Sequence, residues 1–371
     1  MNPFSRARNI ALLAAVTIAF AGCATQPPVA PSPASDADAK SISESLPAPA
    51  KITRPEAKSV LRSVAIDHAL EERILALDPE HISADDVRNT LAKGPAPRII
   101  LLHGGVFPVH LVMVSTGRFL TGMGYPENRI RHPGDLRWSH SPYENSTQIA
   151  GLIAWYYEHD GMRPMMIGHS QGGVQAVKVL YELAGGFDET IRVWNPFTDD
   201  AEERTSILDP LTNVERPVVG LTVSYVSSVG AGGAALLLPS QWNMAAKLHL
   251  IPDTVDEFTG FSIAFDPIAW TLPGVKETTQ FRHGGTAVVR SVPLPATYNH
   301  VTVPIVHTLA RDKATRDWIE AYSPTEAGTP PPPDDAGNGL LWAADVWHSV
   351  KRHWALEAKR FVRARALLGA G

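Results

Sequence analysis

Arg163-Pro164-Met165-Met166-Ile167-Gly168-His169-Ser170-Gln171-Gly172-Gly173-Val174-Gln175-Ala176-Val177-Lys178-Val179-Leu180-Tyr181-Glu182-Leu183-Ala184-Gly185 runs from a short apolar stretch, through a serine bracketed by glycines, into a pattern of helical period. That order reads as strand, sharp turn and helix. Met165-Met166-Ile167 supplies a buried strand, Val174, Val177, Tyr181 and Ala184 recur at three- and four-residue steps, and Gly185-Gly186 closes the helix. Gly168, Ser170 and Gly172 satisfy the pattern G-x-S-x-G, in which small flanking residues let a strained turn hold a serine hydroxyl out at the top of a sheet. The first N–H groups of the helix have no intrahelical partner, and they favour negative charge beside Ser170. Ser170 is the candidate nucleophile. The bland alternative, a structural serine in a chance match, lacks this strand-turn-helix context.

Upstream, Arg98-Ile99-Ile100-Leu101-Leu102 is a continuous apolar run of the kind a central parallel strand needs, and it ends in His103-Gly104-Gly105-Val106. Ser83, with Asp86 three places on, marks a capped helix start, and Pro55 to Leu77 reads as a lead-in helix. Arg129-Ile130-Arg131 fits the next strand, Tyr143 to His159 a helix, Ile191 to Trp194 a short strand, and Pro217 to Val229 a longer strand running into Gly230-Ala231-Gly232-Gly233. Alternating strands and helices predict a mostly parallel, doubly wound α/β sheet.

His103-Gly104-Gly105 followed by Gly168-His169-Ser170-Gln171-Gly172 resembles the α/β-hydrolase superfamily, particularly bacterial serine lipases and esterases, over roughly residues 95 to 310. The resemblance implies an α/β-hydrolase fold and a turn at Gly105 or Val106 that, with Gln171, offers backbone N–H groups to a substrate oxyanion. It also implies that an Asp or Glu and then a His follow Ser170 in the chain. Of fourteen histidines, His300 is favoured, because it lies on a loop just after the strand-like Thr286 to Val292. His307 sits inside an apolar run and His283 precedes the strand. Asp253, Asp256, Glu257 and Asp266 all lie between nucleophile and base. Asp266 directly follows Phe261-Ser262-Ile263-Ala264-Phe265, which alternates as a strand should, and Pro267 ends the ladder. The other three cluster in Pro252 to Glu257, which reads as the capped first turn of a helix, and they stand in reserve.

The chain has 371 residues, 44% of them hydrophobic, enough for a sizeable core. A net charge of −5 from 33 basic and 38 acidic residues, mixed along the chain, leaves no footprint for nucleic acid. One cysteine, Cys23, excludes an intrachain disulfide framework and a cysteine-based metal site. Arg6 and Arg8, the apolar stretch Ile10 to Ala21 and Phe20-Ala21-Gly22-Cys23 predict a signal peptide over 1–22, with a cleavage site that resembles the lipobox of bacterial lipoproteins. That resemblance implies a lipidated Cys23 and, with Ala24 after it, retention at the outer membrane of a bacterial envelope. Residues 23–54, with prolines at 27, 28, 31, 33, 47 and 49, read as a stiff tether.

A hydrolase domain is expected over 55–322, with a cap or lid over about 231–281 whose aromatic residues line an acyl pocket or simply pack in the core. Val303 to Leu309 and a helix around Thr315 to Ala321 close that domain. A proline-rich linker covers 323–338. Residues 339–371 predict an amphipathic helix whose Trp stripe faces either its own domain or an anionic membrane surface. The chain is thus expected to be a membrane-tethered serine hydrolase of carboxylic esters, acting on a small-molecule or lipid ester with no cofactor and no metal. An acyltransferase or thioesterase would use the same triad, and a non-catalytic surface lipoprotein that binds lipid or a partner is the reading from another class.

Overall fold

Ile99, Ile100, Leu101 and Leu102 are all aliphatic because the strand they form is covered on both faces. The computed structural model describes residues 60–61, 64–105, 109–271, 276–324 and 339–369. The expected signal peptide, Cys23 and the tether lie outside the described residues, as do Val106 and most of the proline-rich stretch 323–338. A five-stranded parallel sheet holds the chain together: β1 (Ile99–Leu102), β2 (Met165–His169), β3 (Val223–Val229), β4 (Val255–Ile263) and β5 (Val288–Leu294), side by side in that order. Register carries Leu102 opposite Gly168, His169 opposite Val229, Val229 opposite Phe261, and Leu294 opposite Ile263. The carboxyl ends of all five strands therefore share one edge.

Alternate residues of each strand feed two separate apolar clusters, one per face. Ile99, Leu101, Met165, Ile167, Tyr225 and Phe261 pack with helices α1 (His68–Ala76), α3 (His110–Gly122) and α7 (Leu340–Gly369). Ile100, Leu102, Met166, Val226 and Phe258 pack with α4 (Ser146–Asp160) and α5 (Gln171–Leu183). The result is a helix-sheet-helix sandwich. The helices start and stop on local signals. Asp67 accepts from the Leu70 amide at α1, Ser83 and Asp86 form a reciprocal capping box at α2 (Ala84–Asn89), Asn145 caps α4, and Gly161 ends α4 at φ 69°.

Several expected elements differ. Residues 129–131 form no strand: Glu127–Arg129 is a short 3-10 turn, and the sheet is instead extended beyond β1 by a single bridge between Leu102 and His140. Three consecutive bulky residues mimicked a strand, but Arg98 and Arg129 turn to the Asp160 carboxylate. The strand expected at 191–194 is a two-residue hairpin arm, Trp194–Asn195 against Asp200–Ala201, away from the main sheet. Of the expected lead-in helix, residues 60–61 are helical and His68–Ala76 forms a separate helix, with residues 64–67 between them in neither helix nor strand. The segment expected as a cap divides, because Val255–Ile263 runs through the middle of it as β4. Phe258 and Phe261 are core residues, whereas Trp242, Phe265 and Trp270 are exposed.

The Trp stripe of α7 faces inward. Trp342, Trp347, Trp354 and Phe361 are each fully buried, so the helix docks on its own domain. Its basic residues are also engaged there: Lys351 pairs with Glu320, Arg352 with Glu80 and Glu257, and Arg365 with Glu71. The Trp354 ring lies 4.6 Å from that of Tyr125, and its Nε1 donates to the Pro95 carbonyl at 2.9 Å. Trp354→Ala is expected to lower stability by about 3–5 kcal/mol. Equilibrium urea unfolding measures this, and a loss below about 1 kcal/mol would mean that α7 is not part of the folded core.

Candidate functional site

Ser170 joins β2 to α5 at φ 56° and ψ −124°, a conformation that costs an L-residue strain and is kept only where the surroundings impose it. The flanking glycines show what imposes it. A Cβ on Gly168 would stand 2.5 Å from the Gly172 carbonyl oxygen, and one on Gly172 would stand 2.3 Å from the Leu102 carbonyl oxygen. The Ser170 amide donates to the Val229 carbonyl at 2.8 Å, which ties the turn to β3. The hydroxyl is left at the carboxyl edge of the sheet, half-buried.

His300, on the loop after β5, places its Nε2 2.9 Å from Ser170 Oγ and its Nδ1 2.5 Å from Asp266 Oδ2. Asp266 comes three residues after β4, which ends at Ile263 and not at Phe265. Its other oxygen, Oδ1, accepts from the amides of Ile268 at 2.9 Å and Ala269 at 3.0 Å. Burial alone would raise the Asp266 carboxyl, but the His300 hydrogen bond and charge and the two amides outweigh it and hold the group below the usual carboxylate range. An ionised carboxylate only accepts, so His300 carries its proton on Nδ1 and presents the Nε2 lone pair to the serine hydroxyl. Gly230, at φ 63°, ends β3 directly beneath this imidazole: a Cβ there would lie 2.9 Å from His300 Cε1 and Nδ1. The sequence marked Gly230 only as part of a glycine run.

Gly105 lies beside the first turn of α5, where a Cβ would stand 1.9 Å from Gln171 Oε1. The turn is held by His103, whose Nδ1 donates to the Gly104 carbonyl at 2.8 Å, and by Tyr143, whose hydroxyl donates to the Gly105 carbonyl at 2.8 Å. Nothing in the sequence singled out Tyr143. The Gln171 amide belongs to the free first turn of α5 directly after Ser170, and a Cβ on Gly104, in the neighbouring turn, would stand 3.1 Å from Ser170 Cβ. Val106, the other expected donor, lies outside the described residues.

The competing candidates are elsewhere. His307 Nδ1 meets Ser115 Oγ at 2.9 Å, and exposed His283 donates to the Gly285 carbonyl at 2.7 Å. Residues 252–257 are not a helix turn but the entry to β4. Asp253 accepts from the Thr286 and Ala287 amides, Asp256 pairs with Arg163, and Glu257 is buried against His353, Arg290 and Arg352. Burial would raise Glu257, yet those partners hold it at about 2. All three lie at the amino end of β4, at the opposite edge from Ser170. Among the described residues no group of three or more His, Cys, Asp or Glu is arranged to hold a metal ion.

The fold and the site define an α/β protein with a five-stranded parallel sheet and a hydrogen-bonded Ser-His-Asp chain at its carboxyl edge. Searched against protein-family models and characterised proteins, the sequence matches none.

Proposed function

We propose that the protein is a serine hydrolase of carboxylic esters on an α/β-hydrolase scaffold. The observation that carries this reading is His300, which bridges Ser170 Oγ and Asp266 from a loop of its own. Three residues far apart in the chain, in the order Ser, Asp, His, meet in the geometry of a nucleophile, a general base and the acid that orients it.

In the proposed reaction Ser170 Oγ attacks the ester carbonyl while His300 Nε2 takes its proton, and buried Asp266 stabilises the imidazolium. The carbonyl oxygen becomes an oxyanion and accepts from the Gln171 amide and from a backbone amide after His103-Gly104. Collapse expels the alcohol, which takes the proton from His300. Water, deprotonated by the same imidazole, then releases the acid and restores Ser170. No step calls for a cofactor or metal. Exposed Phe265, Ile268 and Trp270, on the loop that carries Asp266, favour an apolar acyl or alcohol group over a charged one.

The leader adds a place. Phe20-Ala21-Gly22-Cys23 and the proline-rich stretch behind it support lipidation of Cys23 and tethering in a bacterial cell envelope, at the outer membrane. Among the described residues no helix is long and apolar enough to cross a membrane. Cys23→Ser should shift the protein from the membrane to the soluble fraction of its host. Complete membrane fractionation of that variant, with no diacylglycerol on the mature wild-type chain by mass spectrometry, would refute the anchor.

Ser170→Ala is expected to abolish both p-nitrophenyl ester hydrolysis and labelling by a fluorophosphonate probe. Undiminished turnover in that variant would remove the hydrolase reading. Asp266→Asn should keep the fold and lower kcat by about four orders of magnitude, the precedent for a triad acid. Steady-state kinetics measure this, with circular dichroism as the control for folding.

A further inference from the structure

His169 precedes the nucleophile, and the reaction above gives it no task. Its side chain is 1% exposed, and its Nε2 lies 2.8 Å from the backbone carbonyl oxygen of His300. A carbonyl only accepts, so the His169 proton is on Nε2 and points at that oxygen. The other ring nitrogen, Nδ1, is then unprotonated, buried and without a hydrogen-bond partner. It faces the turn of the proposed oxyanion hole, where a Cβ on Gly104 would stand 3.4 Å away. A buried polar atom left unpaired in a core calls for a reason. Phenylalanine or leucine would fill this space without one. What histidine adds is the Nε2 N–H group.

That donor meets a need of the base loop. Asp266 and Ser170 fix the two nitrogens of the His300 side chain, but the loop lies outside the sheet ladder, and among the described residues no backbone amide donates to the His300 carbonyl. Since His169 is the last residue of β2, its ring ties the base loop to the strand that aims the nucleophile.

We infer that His169 is a positioning residue for the base, its Nε2–H holding the His300 carbonyl so that the imidazole stays between Ser170 and Asp266. The inference rests on the Ser170-His300-Asp266 reading. Burial, with the neighbouring His300 charge next, lowers His169 to about 3, although the His300 carbonyl and Asp266 act the other way. His169 therefore stays neutral while its neighbour cycles through the imidazolium, and it adds no second cation to oppose that proton transfer.

The test uses the full chain. Histidine-selective 15N NMR should find His169 as the neutral Nε2–H tautomer with no titration between about pH 5 and about pH 9. His169→Phe should lower kcat for p-nitrophenyl ester hydrolysis roughly tenfold to hundredfold with KM little changed, because the loss is one of alignment. His169→Gln, whose amide supplies an N–H at similar reach, should recover most of that loss. The inference is overturned by an Nδ1–H tautomer, by titration in that range, by wild-type kcat in the Phe variant, or by a Gln variant no better than Phe. Should the Phe variant not fold, the wild-type tautomer and the Gln variant decide. Ester turnover surviving Ser170→Ala would instead sink the hydrolase reading and leave the tautomer result standing.

Discussion

The first turn of α5 stands so close to the end of β1 that a single methyl group on Gly172 would collide with the Leu102 carbonyl oxygen. To bring the helix that near, the chain must leave β2 through a positive φ at Ser170, a conformation that costs on the order of 1–3 kcal/mol for a residue with a side chain. The sheet offsets that strain, through the Val229 carbonyl on one side and the packing of Gly168 on the other. The Ser170 hydroxyl thereby stands at the edge of the sheet, and the free amides of the helix start come level with the turn after β1.

Parallel pairing does the rest of the assembly. Because β3, β4 and β5 run in register with β2, the residues just past their ends arrive at the same edge: Gly230 after β3, Asp266 after β4 and His300 after β5. Each is shaped by the others. Gly230 has no side chain because the imidazole occupies that space, and Asp266 stays charged in a buried place because His300 and two amides surround it. A carboxylate removed from water is costly unless several such groups compensate it. Moving β4 by one residue would remove this compensation and turn each of its side chains toward the apolar cluster on the opposite face.

The local devices were legible in the sequence. The G-x-S-x-G turn, the Ser83–Asp86 capping box and the aliphatic run of β1 each follow from residues a few places apart, and the structure forms all three. Non-local partners were not legible. Lys351, Arg352 and Arg365 lie on the helix whose stripe the sequence left to face its own domain or a membrane, and what engages them is Glu320, Glu80, Glu257 and Glu71, which folding brings from distant segments. The same holds for Tyr143, which reaches Gly105 across 38 positions of sequence, and for His169, which reaches His300 across 131. Apolar content misled in one direction as well: the aromatic run after Ala234 contains a central strand, since Phe258 and Phe261 look alike whether they line a pocket or pack beneath a sheet.

The acidic residues of β4 show where physical reasoning from sequence gains most. Asp253, Asp256, Glu257 and Asp266 are similar groups on or beside one strand, and composition cannot separate them. Strand direction can. The amino edge of the sheet lies against α7 and Arg163, and two carboxylates there meet fixed cations: Asp256 meets Arg163, and Glu257 meets Arg290 and Arg352. Removing one partner of a buried pair such as those of Glu257 typically costs about 3–5 kcal/mol, because the other charge is left alone. At the carboxyl edge Asp266 meets instead the His300 imidazole, which a loop carries. A permanent cation at that position would stabilise the carboxylate as well, but it would hold no lone pair for the Ser170 hydroxyl. The edge of the sheet on which a carboxylate falls thus decides whether it meets the arginines of the fold or the imidazole that reaches Ser170.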